Sequence, residues 1–193
     1  VNVEDFKDKV DAILWTSYNG QAQGNALARI LFGKANPSAK LPFTWYQKES
    51  QLPDIADYTI RGSEDSYGRT YQYFSGDVSY EFGYGLSYTD FVYSDVQVSK
   101  SAVTPDDTIT LTLNVKNTGK MDGMEVVQVY AVSPHADGID RPFKELKGFA
   151  KVNVKAGETE KVTLELPVAD WYFCDETTGV QEYDAGNWTL QVG

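Results

Sequence analysis

The second half of the chain alternates apolar and polar residues, a pattern typical of half-buried β-strands. Ile109, Leu111, Leu113 and Val115 alternate with two threonines and an asparagine. Turn residues separate this segment from others of the same character. We predict strands in those segments as well, which are Phe91–Val98, Met124–Ser133, Leu146–Val154, Val162–Leu166, Trp171–Cys174 and Trp188–Val192. Seven short strands predict an immunoglobulin-like β-sandwich over residues 91–193.

Residues 1–57 have a different pattern, which is typical of a piece of an α/β domain. The apolar run Ala12–Trp15 predicts a strand buried on both faces. The segment Gly24–Phe32 carries apolar residues on one helical face, and Gly33 follows it as a stop signal. Leu41–Thr44 predicts a short extended segment. Because one such unit cannot cover both faces of a parallel sheet, we expect it to belong to a larger α/β domain.

Residues 58–90 form a connector that is rich in aromatic residues and glycine but has little periodicity. Its tyrosines and phenylalanines are interleaved with Gly62, Gly68, Gly76, Gly83 and Gly85. A long irregular segment of this kind is usually functional or pressed against another surface. A simpler alternative is that its rings fill the seam between two domains. The fold class predicted for the whole chain is therefore mostly β, with a partial α/β unit and this connector ahead of the sandwich.

Composition and charge limit the partners that the chain can have. The chain has 193 residues, 41% of them hydrophobic and 23% charged, which fits a globular protein. Its net charge of −11 argues against nucleic acid and anionic membrane surfaces as partners. No apolar run is long enough to span a bilayer, and no signal peptide is recognisable. The one cysteine, Cys174, has no internal disulfide partner, and we expect its thiol to be buried.

The residue types used in catalysis do not form a convincing active site in this sequence. The single histidine, His135, lies in a loop segment and is expected to be solvated. Pairs of acids can support glycosyl transfer, but neighbouring acids on turns are usually solvated. The pairs in question are Asp54/Asp57, Glu64/Asp65 and Asp175/Glu176. We therefore predict no catalytic residue, no cofactor and no metal site in the chain.

Three stretches of sequence carry a resemblance to a known family. The first runs from Ala12 to Thr44 and includes the turn NPSAKLPFT. The second contains GRTYQYF and ends in YEFGYGLSYTDF at Phe91, and the third includes NVKNTG and RPFKELKGF. Together they resemble the C-terminal part of glycoside hydrolase family 3, which contains β-glucosidases and β-xylosidases. The resemblance covers nearly the whole chain, and the FGYGLSYT segment is highly specific.

The resemblance implies a place for this chain within a larger enzyme. In that family a barrel domain comes first, then an α/β sandwich domain, then a fibronectin type III-like domain. The family's nucleophile and acid/base residue lie upstream of the segment that this chain matches, so no catalytic residue is carried over. The chain is expected to be the C-terminal portion of a retaining, exo-acting β-glycosidase that cleaves terminal β-linked sugars from oligosaccharides or aryl β-glycosides, and its sandwich is expected to buttress the catalytic domains. Its partners would be the missing barrel and α/β domains, and secretion or a periplasmic location is the family expectation.

Some residues remain candidates for function within this picture. The loop from Tyr18 to Gln23 follows the predicted strand, where open α/β sheets usually place ligand contacts, so Tyr18 and Gln21 are candidates for lining a sugar subsite. Arg69 is predicted to stack on a ring, to pair with a carboxylate, or to be exposed.

Two alternatives to the buttressing role stay open. One is a carbohydrate-binding module that uses Trp171, Tyr172 and Trp188, although their strand pattern favours the core. The other is an interaction or homodimerisation domain.

Overall fold

The computed structural model of the protein describes residues 2–175 and 177–193, and β-strands dominate it. Short 3₁₀ turns occur at Lys7–Lys9, Glu49–Gln51 and Val168–Asp170. The two helices are α1 (Gln23–Leu31) and α2 (Thr70–Tyr73). The strands are β1 (Trp45–Tyr46), β2 (Val78–Tyr80), β3 (Phe91–Val98), β4 (Thr108–Asn117), β5 (Gly123–Val132), β6 (Glu145–Val154), β7 (Thr159–Pro167), β8 (Phe173–Cys174), β9 (Gln181–Glu182) and β10 (Thr189–Val192).

Two antiparallel three-stranded sheets form the predicted sandwich. One sheet has the order β3-β4-β7 and the other the order β10-β5-β6. Their facing side chains make one apolar core, which includes Leu111, Val115, Val127, Val129 and Leu166, each essentially inaccessible to solvent. The mostly-β fold class predicted from the alternating pattern is confirmed. Burial alternates along β4 as the apolar and polar residues do, because successive side chains of a strand point to opposite faces.

The segment Trp171–Cys174 was predicted as a strand of the sandwich, and it adopts another arrangement. Trp171 is buried in the core, while β8 begins only at Phe173 and pairs with β9 as a separate two-stranded hairpin. Cys174 is exposed on this hairpin, so the prediction of a buried thiol was wrong. A two-stranded hairpin beyond the main sheets has no second layer over its outer face, and this leaves the thiol in solvent.

The α/β-like part forms its helix but not its predicted strand. Helix α1 ends where Gly33 adopts a φ of +66°, as the stop signal predicted. The run Ala12–Trp15 is not in a β-strand, and Leu14 is 44% exposed. A strand buried on both faces needs neighbouring strands and covering helices, and no described residue supplies them to this segment.

The connector lies against both neighbouring parts of the chain. Its strand β2 pairs with β1, which follows the α/β-like helix in the sequence. Its short helix α2 carries Tyr71, which packs against Tyr130 on the outer face of the sandwich. Residues 58–90 therefore join the two parts through direct contacts, and the geometry of that joint is described next.

Candidate functional site: the joint between the sandwich and the preceding residues

Three aromatic rings form the centre of the joint. Tyr71 stacks on Phe82 with ring centroids 4.2 Å apart, and both meet the edge or face of Tyr130 on strand β5. The Tyr71 hydroxyl also accepts a hydrogen bond from the backbone N–H of Leu146, at 3.0 Å. Burial raises the pKa of Tyr130 to about 12. The rings therefore provide apolar contact, while the hydroxyl of Tyr71 satisfies a backbone donor of β6.

Close backbone approach at Gly83 allows this packing. Gly83 has a φ of +83°, and a Cβ placed there would lie 2.5 Å from the side-chain oxygen of Gln128. The Gln128 amide nitrogen donates to the Gly83 carbonyl at 3.2 Å, and its oxygen accepts from the Tyr130 hydroxyl at 2.7 Å. A side chain at this position would displace the ends of Gln128 and Tyr130 from their hydrogen bonds, and the positive φ would strain it, so two reasons favour glycine here.

Asn117, at the end of β4, holds the end of the connector. It is fully buried. Its Oδ1 accepts hydrogen bonds from the Thr89 hydroxyl at 2.6 Å and the Gly119 N–H at 3.1 Å. Its Nδ2 donates to the carbonyls of Met121 at 2.8 Å and Val154 at 3.0 Å. One side chain thus satisfies four groups, which links the connector to a turn and to both sheets.

A buried carboxylate forms a second link between the sandwich and the preceding residues. Glu125, 7% exposed, lies at the beginning of β5. It forms an ion pair with Lys40 at 3.2 Å and accepts a hydrogen bond from the Tyr93 hydroxyl at 2.9 Å. Burial, together with the negative charge of Glu125, raises the pKa of Tyr93 well above its usual range. Tyr93 therefore stays protonated and donates to the carboxylate.

Asn36 makes a third link, from the turn after α1. Its Oδ1 accepts hydrogen bonds from the Ser87 hydroxyl at 3.0 Å and the Tyr88 N–H at 2.9 Å, and its Nδ2 donates to the Asp122 carbonyl at 3.3 Å. The Tyr88 hydroxyl in turn donates to the Ile30 carbonyl near the end of α1. The FGYGLSYT segment thus contacts the helix and the sandwich together.

An ion pair joins two loops at the end of the sandwich opposite to Asn117 and Glu125. Arg141 binds both carboxylate oxygens of Asp184, at 2.9 and 3.1 Å, and the Ser133 hydroxyl donates to Asp184 at 2.5 Å. The guanidinium carbon lies 3.0 Å from the ring centroid of Phe173. Burial opposes ionisation of Asp184, but the hydrogen bonds from Arg141 and Ser133 outweigh it and lower its pKa. The loop that carries Arg141 also reaches the connector, where the Phe143 N–H donates to the Gln72 carbonyl at 2.7 Å.

The predicted sugar-subsite residues lie in an exposed loop away from this joint. The side chains of Tyr18 and Gln21 are both solvent-exposed, and Tyr18 contacts none of the described rings. Trp15, which lies three residues before Tyr18, instead belongs to an aromatic cluster with Phe43, Trp45, Tyr80 and Tyr84. The subsite role of Tyr18 and Gln21 stays a prediction.

The candidate acids do not form a catalytic pair among the described residues. Asp54 and Asp57 accept hydrogen bonds from the backbone of their own turns, and Glu64 and Asp65 are exposed. Asp175 accepts hydrogen bonds from Thr178, and its sequence neighbour Glu176 lies outside the described residues.

The described cavities do not hold such a pair either. A groove of about 230 Å³, lined by Asn2, Tyr46, Lys48, Glu49 and Leu52, contains a single acid. A cavity of about 10 Å³ beside Glu145 and Asp184 has room for one water molecule, and Asp184 there is already bound by Arg141.

Neither His135 nor Arg69, the other residues considered from the sequence, lies in a catalytic arrangement with the described residues. His135 is exposed, as predicted. Arg69 neither stacks nor pairs with a carboxylate side chain in the described contacts, since its guanidinium donates to the backbone carbonyls of Asp57 and Asp54. Among residues 2–175 and 177–193, no cluster of three potential metal ligands occurs, and no helix has the length and apolar character needed to cross a membrane.

The joint's key polar residues were missed from the sequence, although a signal for them exists. Asn117 lies two residues after Val115 and therefore on the same core-facing side of its strand as Leu113 and Val115. Glu125 lies on the same side of its strand as Val127 and Val129. A polar side chain at a core-facing strand position must find partners inside the protein. The alternation therefore marks both residues as buried polar groups, but it does not identify their partners.

The described carboxylates predict how stability depends on pH. A hydrogen bond from Lys100 lowers the pKa of Asp107 to about 2, and the pKa of Asp184 is lowered as well. A carboxyl group whose pKa is depressed by folding stabilises the protein above its unfolded pKa and loses that effect as the pH falls through the folded pKa. We expect the thermal midpoint, followed by circular dichroism, to fall as the pH is lowered from about 5 to about 2.

The variant Asp107→Asn provides the control for this pH dependence. Without a titrating carboxyl at this position, the fall in the midpoint below pH about 4 should be shallower than in the unchanged protein. A midpoint that is constant, or that rises on acidification, would contradict the prediction.

Comparison with known proteins accounts for both parts of the chain. Residues 1–88 match the model of the glycosyl hydrolase family 3 C-terminal domain, and residues 125–193 match that of a fibronectin type III-like domain. The chain belongs to glycoside hydrolase family 3. The resemblance seen in the sequence is thereby confirmed, as is the fibronectin III-like character of the sandwich.

Several enzymes of known name are similar over almost the whole chain. A xylan 1,4-β-xylosidase of Xylanibacter ruminicola is 37% identical and covers 96% of this chain, which corresponds to 20% of the relative. The thermostable β-glucosidase B of Acetivibrio thermocellus and the periplasmic β-glucosidase of Salmonella typhimurium are each 36% identical over 96% of this chain and 25% of their own length.

A solved structure shows the same fold. β-Glucosidase 3B from Thermotoga neapolitana, in complex with glucose, superposes with a TM-score of 0.83 at 38% identity over the full chain. That match spans 28% of the solved chain. The family 3 chain described here therefore corresponds to between a fifth and about a quarter of these relatives.

Proposed function

We propose that this chain serves as the buttressing C-terminal portion of a β-glycosidase, a β-glucosidase or β-xylosidase that hydrolyses terminal β-linked sugars. The single observation that carries the proposal is the similarity, over nearly the whole of this chain, to family 3 enzymes whose names specify those two activities. In such an enzyme the substrate is an oligosaccharide or an aryl β-glycoside. The remaining domains, a barrel and the rest of an α/β domain, supply the catalytic groups.

The geometry of the joint supports the buttressing role. Polar contacts at Asn36, Lys40, Glu125 and Asn117 hold the α/β-like residues against the sandwich, and those of Glu125 and Asn117 are made by buried side chains. Buried hydrogen bonds and ion pairs restrict relative movement more strongly than apolar contact alone, because each broken bond leaves an unsatisfied group. Because these contacts fix the α/β-like residues to the sandwich, the sandwich can also fix the position of a domain that packs on those residues.

An exposed apolar surface supports the proposed partners. Several large hydrophobic side chains in the first sixty residues are half or more exposed, and these include Leu31, Phe32, Ile55, Tyr58 and Tyr18. Helix α1 is amphipathic, yet none of its residues is buried. Large apolar side chains left in solvent along one segment are available for contact with other protein. We assign this surface to the missing α/β and barrel domains, with the chain divided into residues 1–57, 58–90 and 91–193.

The chemistry of the intact enzyme is proposed to retain configuration at the anomeric carbon. A retaining glycosidase needs two carboxyl groups about 5–5.5 Å apart, one acting as nucleophile and the other as acid and base. Of the candidate acids, Asp54, Asp57 and Asp175 are engaged by their own turns, and Glu64 and Asp65 are exposed. We assign the catalytic pair, and with it exo-acting cleavage, to the missing domains.

The isolated chain is expected to show no glycosidase activity. Incubation with aryl β-glucoside and aryl β-xyloside should release no more phenol than buffer does, while an intact family 3 relative assayed in parallel should turn over. Turnover that copurifies with the chain and disappears on mutation of one of its own acids would overturn the proposal. Glu49 in the large groove is the acid to replace first, by Gln.

Tyr18 and Gln21 are proposed to line a sugar subsite once the missing domains are present. Their exposure leaves both side chains available for such contact. In an intact enzyme, Tyr18→Ala should raise KM about tenfold, which corresponds to losing one ring–sugar contact. An unchanged KM would contradict the role.

The other proposed properties are the location of the enzyme and its assembly. A secreted or periplasmic location is suggested by the relative named as periplasmic. A homodimer remains a proposal that light scattering tests. The alternative of a carbohydrate-binding module is not favoured, because Trp171 is 4% exposed and Trp188 packs against the core, so only Tyr172 presents a ring to solvent.

A further inference from the structure

The free edge of strand β10 offers unpaired backbone groups. β10 is the last strand of its sheet, with β5 on one side and none of the described strands on the other. Gly193 exchanges both backbone hydrogen bonds with Gln128, so in an antiparallel ladder the alternate residues Thr189 and Gln191 also face β5. The N–H and C=O groups of Leu190 and Val192 consequently point to the open edge.

The core beneath this edge is incompletely covered. β6 and β7 contact each other on one flank, so the sheet orders place β3 opposite β10 on the other flank. Val98 pairs with the core residue Leu111 and therefore faces the core, and Val96 lies two residues before it, next to the irregularity of the strand. Even so, Val96 is 51% and Val98 is 45% exposed. On β10, Leu190 and Val192 are only half-buried.

β10 also lacks the features that protect the other sheet edges. β3 is interrupted by an irregularity at Asp95, which has a φ of +54°. β6 and β7 carry several charged residues, and β7 ends in Pro167. The sequence of β10, TLQV, has no charge, proline or bulge. Natural sheets block free edges with such features, and an edge without them is suited to pairing.

We propose that β10 is a docking edge for one additional β-strand, an extended segment outside these 193 residues with apolar side chains at alternate positions. The segment pairs antiparallel to β10 through the backbone of Leu190 and Val192, and its apolar side chains cover Val96 and Val98. Its source is the remainder of the longer polypeptide, since the matched relatives are four to five times the length of this region. The source of the segment is the one part of this inference that rests on the proposed function.

A synthetic strand tests the edge directly in the chain as it exists. The probe is a capped peptide in which threonine and valine alternate between two terminal lysines. The matched control peptide has the same composition, with the valines in one block and the threonines in another. We expect saturable binding of the alternating peptide, at least about tenfold tighter than the control. Amide hydrogen exchange at Leu190 and Val192 should slow on binding, whereas Gln191 and Gly193 should already be protected.

Variants of β10 locate the binding. Val192→Pro removes an outward N–H and keeps the ladder with β5, so it should weaken peptide binding about tenfold or more. Gln191→Ala, which keeps every backbone donor, should bind as the unchanged chain does. If Val192→Pro does not fold, the proposal is tested by the unchanged chain alone: its amides at Leu190 and Val192 must exchange more slowly when the alternating peptide is bound.

Two outcomes would overturn the proposal. One is equal affinity for both peptides, or protection that appears away from β10. The other is a concentration-dependent dimer that Val192→Pro abolishes, because a second copy would then occupy the edge. Neither readout depends on glycosidase activity, so failure here is distinct from failure of the proposed function.

Discussion

Replacing Arg141 by leucine is expected to lower the free energy of unfolding by about 3–5 kcal/mol, the usual cost of leaving a buried charge unpaired. The side chain of Asp184 is 7% exposed, and of its described hydrogen bonds its carboxylate would keep only the one from the Ser133 hydroxyl. The cation–π contact with Phe173 is lost as well. Urea denaturation at neutral pH, fitted with a constant m-value, measures the change.

The pH dependence separates a lost ion pair from a merely disturbed core. In the unchanged protein the pKa of Asp184 is lowered, so this group loses stabilising effect as the pH falls. Without Arg141, burial should raise the pKa of Asp184, so the variant should recover stability on acidification as the carboxyl becomes neutral. The matched control, Arg29→Ala on exposed helix α1, should change stability by no more than about 0.5 kcal/mol. An Arg141→Leu variant that loses stability equally at every pH would contradict the ion-pair explanation.

Asn117→Ala is expected to cost about 3–4 kcal/mol. The change leaves the Thr89 hydroxyl, the Gly119 N–H and two carbonyls without their partner, and each unsatisfied buried group typically costs about 1–3 kcal/mol. Part of this cost is recovered if water enters the space, so the sum is smaller than four separate penalties. The measurement is the urea midpoint of unfolding, with the connector's order followed by amide exchange at Thr89.

The neighbouring Asn114 provides a control on the same strand. Its side chain faces outward and donates a single hydrogen bond, to Asp95 at 2.7 Å. Asn114→Ala should therefore cost less than about 1 kcal/mol. In a double-mutant cycle, Thr89→Val should add much less in the Asn117→Ala background than in the unchanged protein. Fully additive effects would show that Asn117 does not act through Thr89.

The sandwich strands were predictable because their signal is local. Burial with a period of two appears directly in the order of residues in β4 and β5, where one face meets the core. Helix α1 was predictable for the same reason, with a helical apolar face and a glycine after its last turn. The Ala12–Trp15 segment shows the limit of this reasoning. Its apolar residues favour burial, but a β-strand forms only when neighbouring strands supply partners for its backbone N–H and C=O groups.

The joint was predictable in composition but not in its contacts. Aromatic residues and glycines in 58–90 predicted a packed seam, and Tyr71 and Phe82 do pack against Tyr130. The pairing of Arg141 with Asp184 joins residues 43 positions apart, and Asn36 reaches Ser87 across 51. No local pattern encodes such pairs, because they arise only when the sheets bring distant segments together.

The amino-acid sequence by itself determined the family and most of the strands of the sandwich. Tertiary structure alone decided which buried polar groups hold the connector, that Cys174 is exposed, and that β10 has a free edge over half-covered valines. The physical reason is that periodicity records whether a side chain prefers water or protein, whereas partners and exposed edges depend on which segments meet in space.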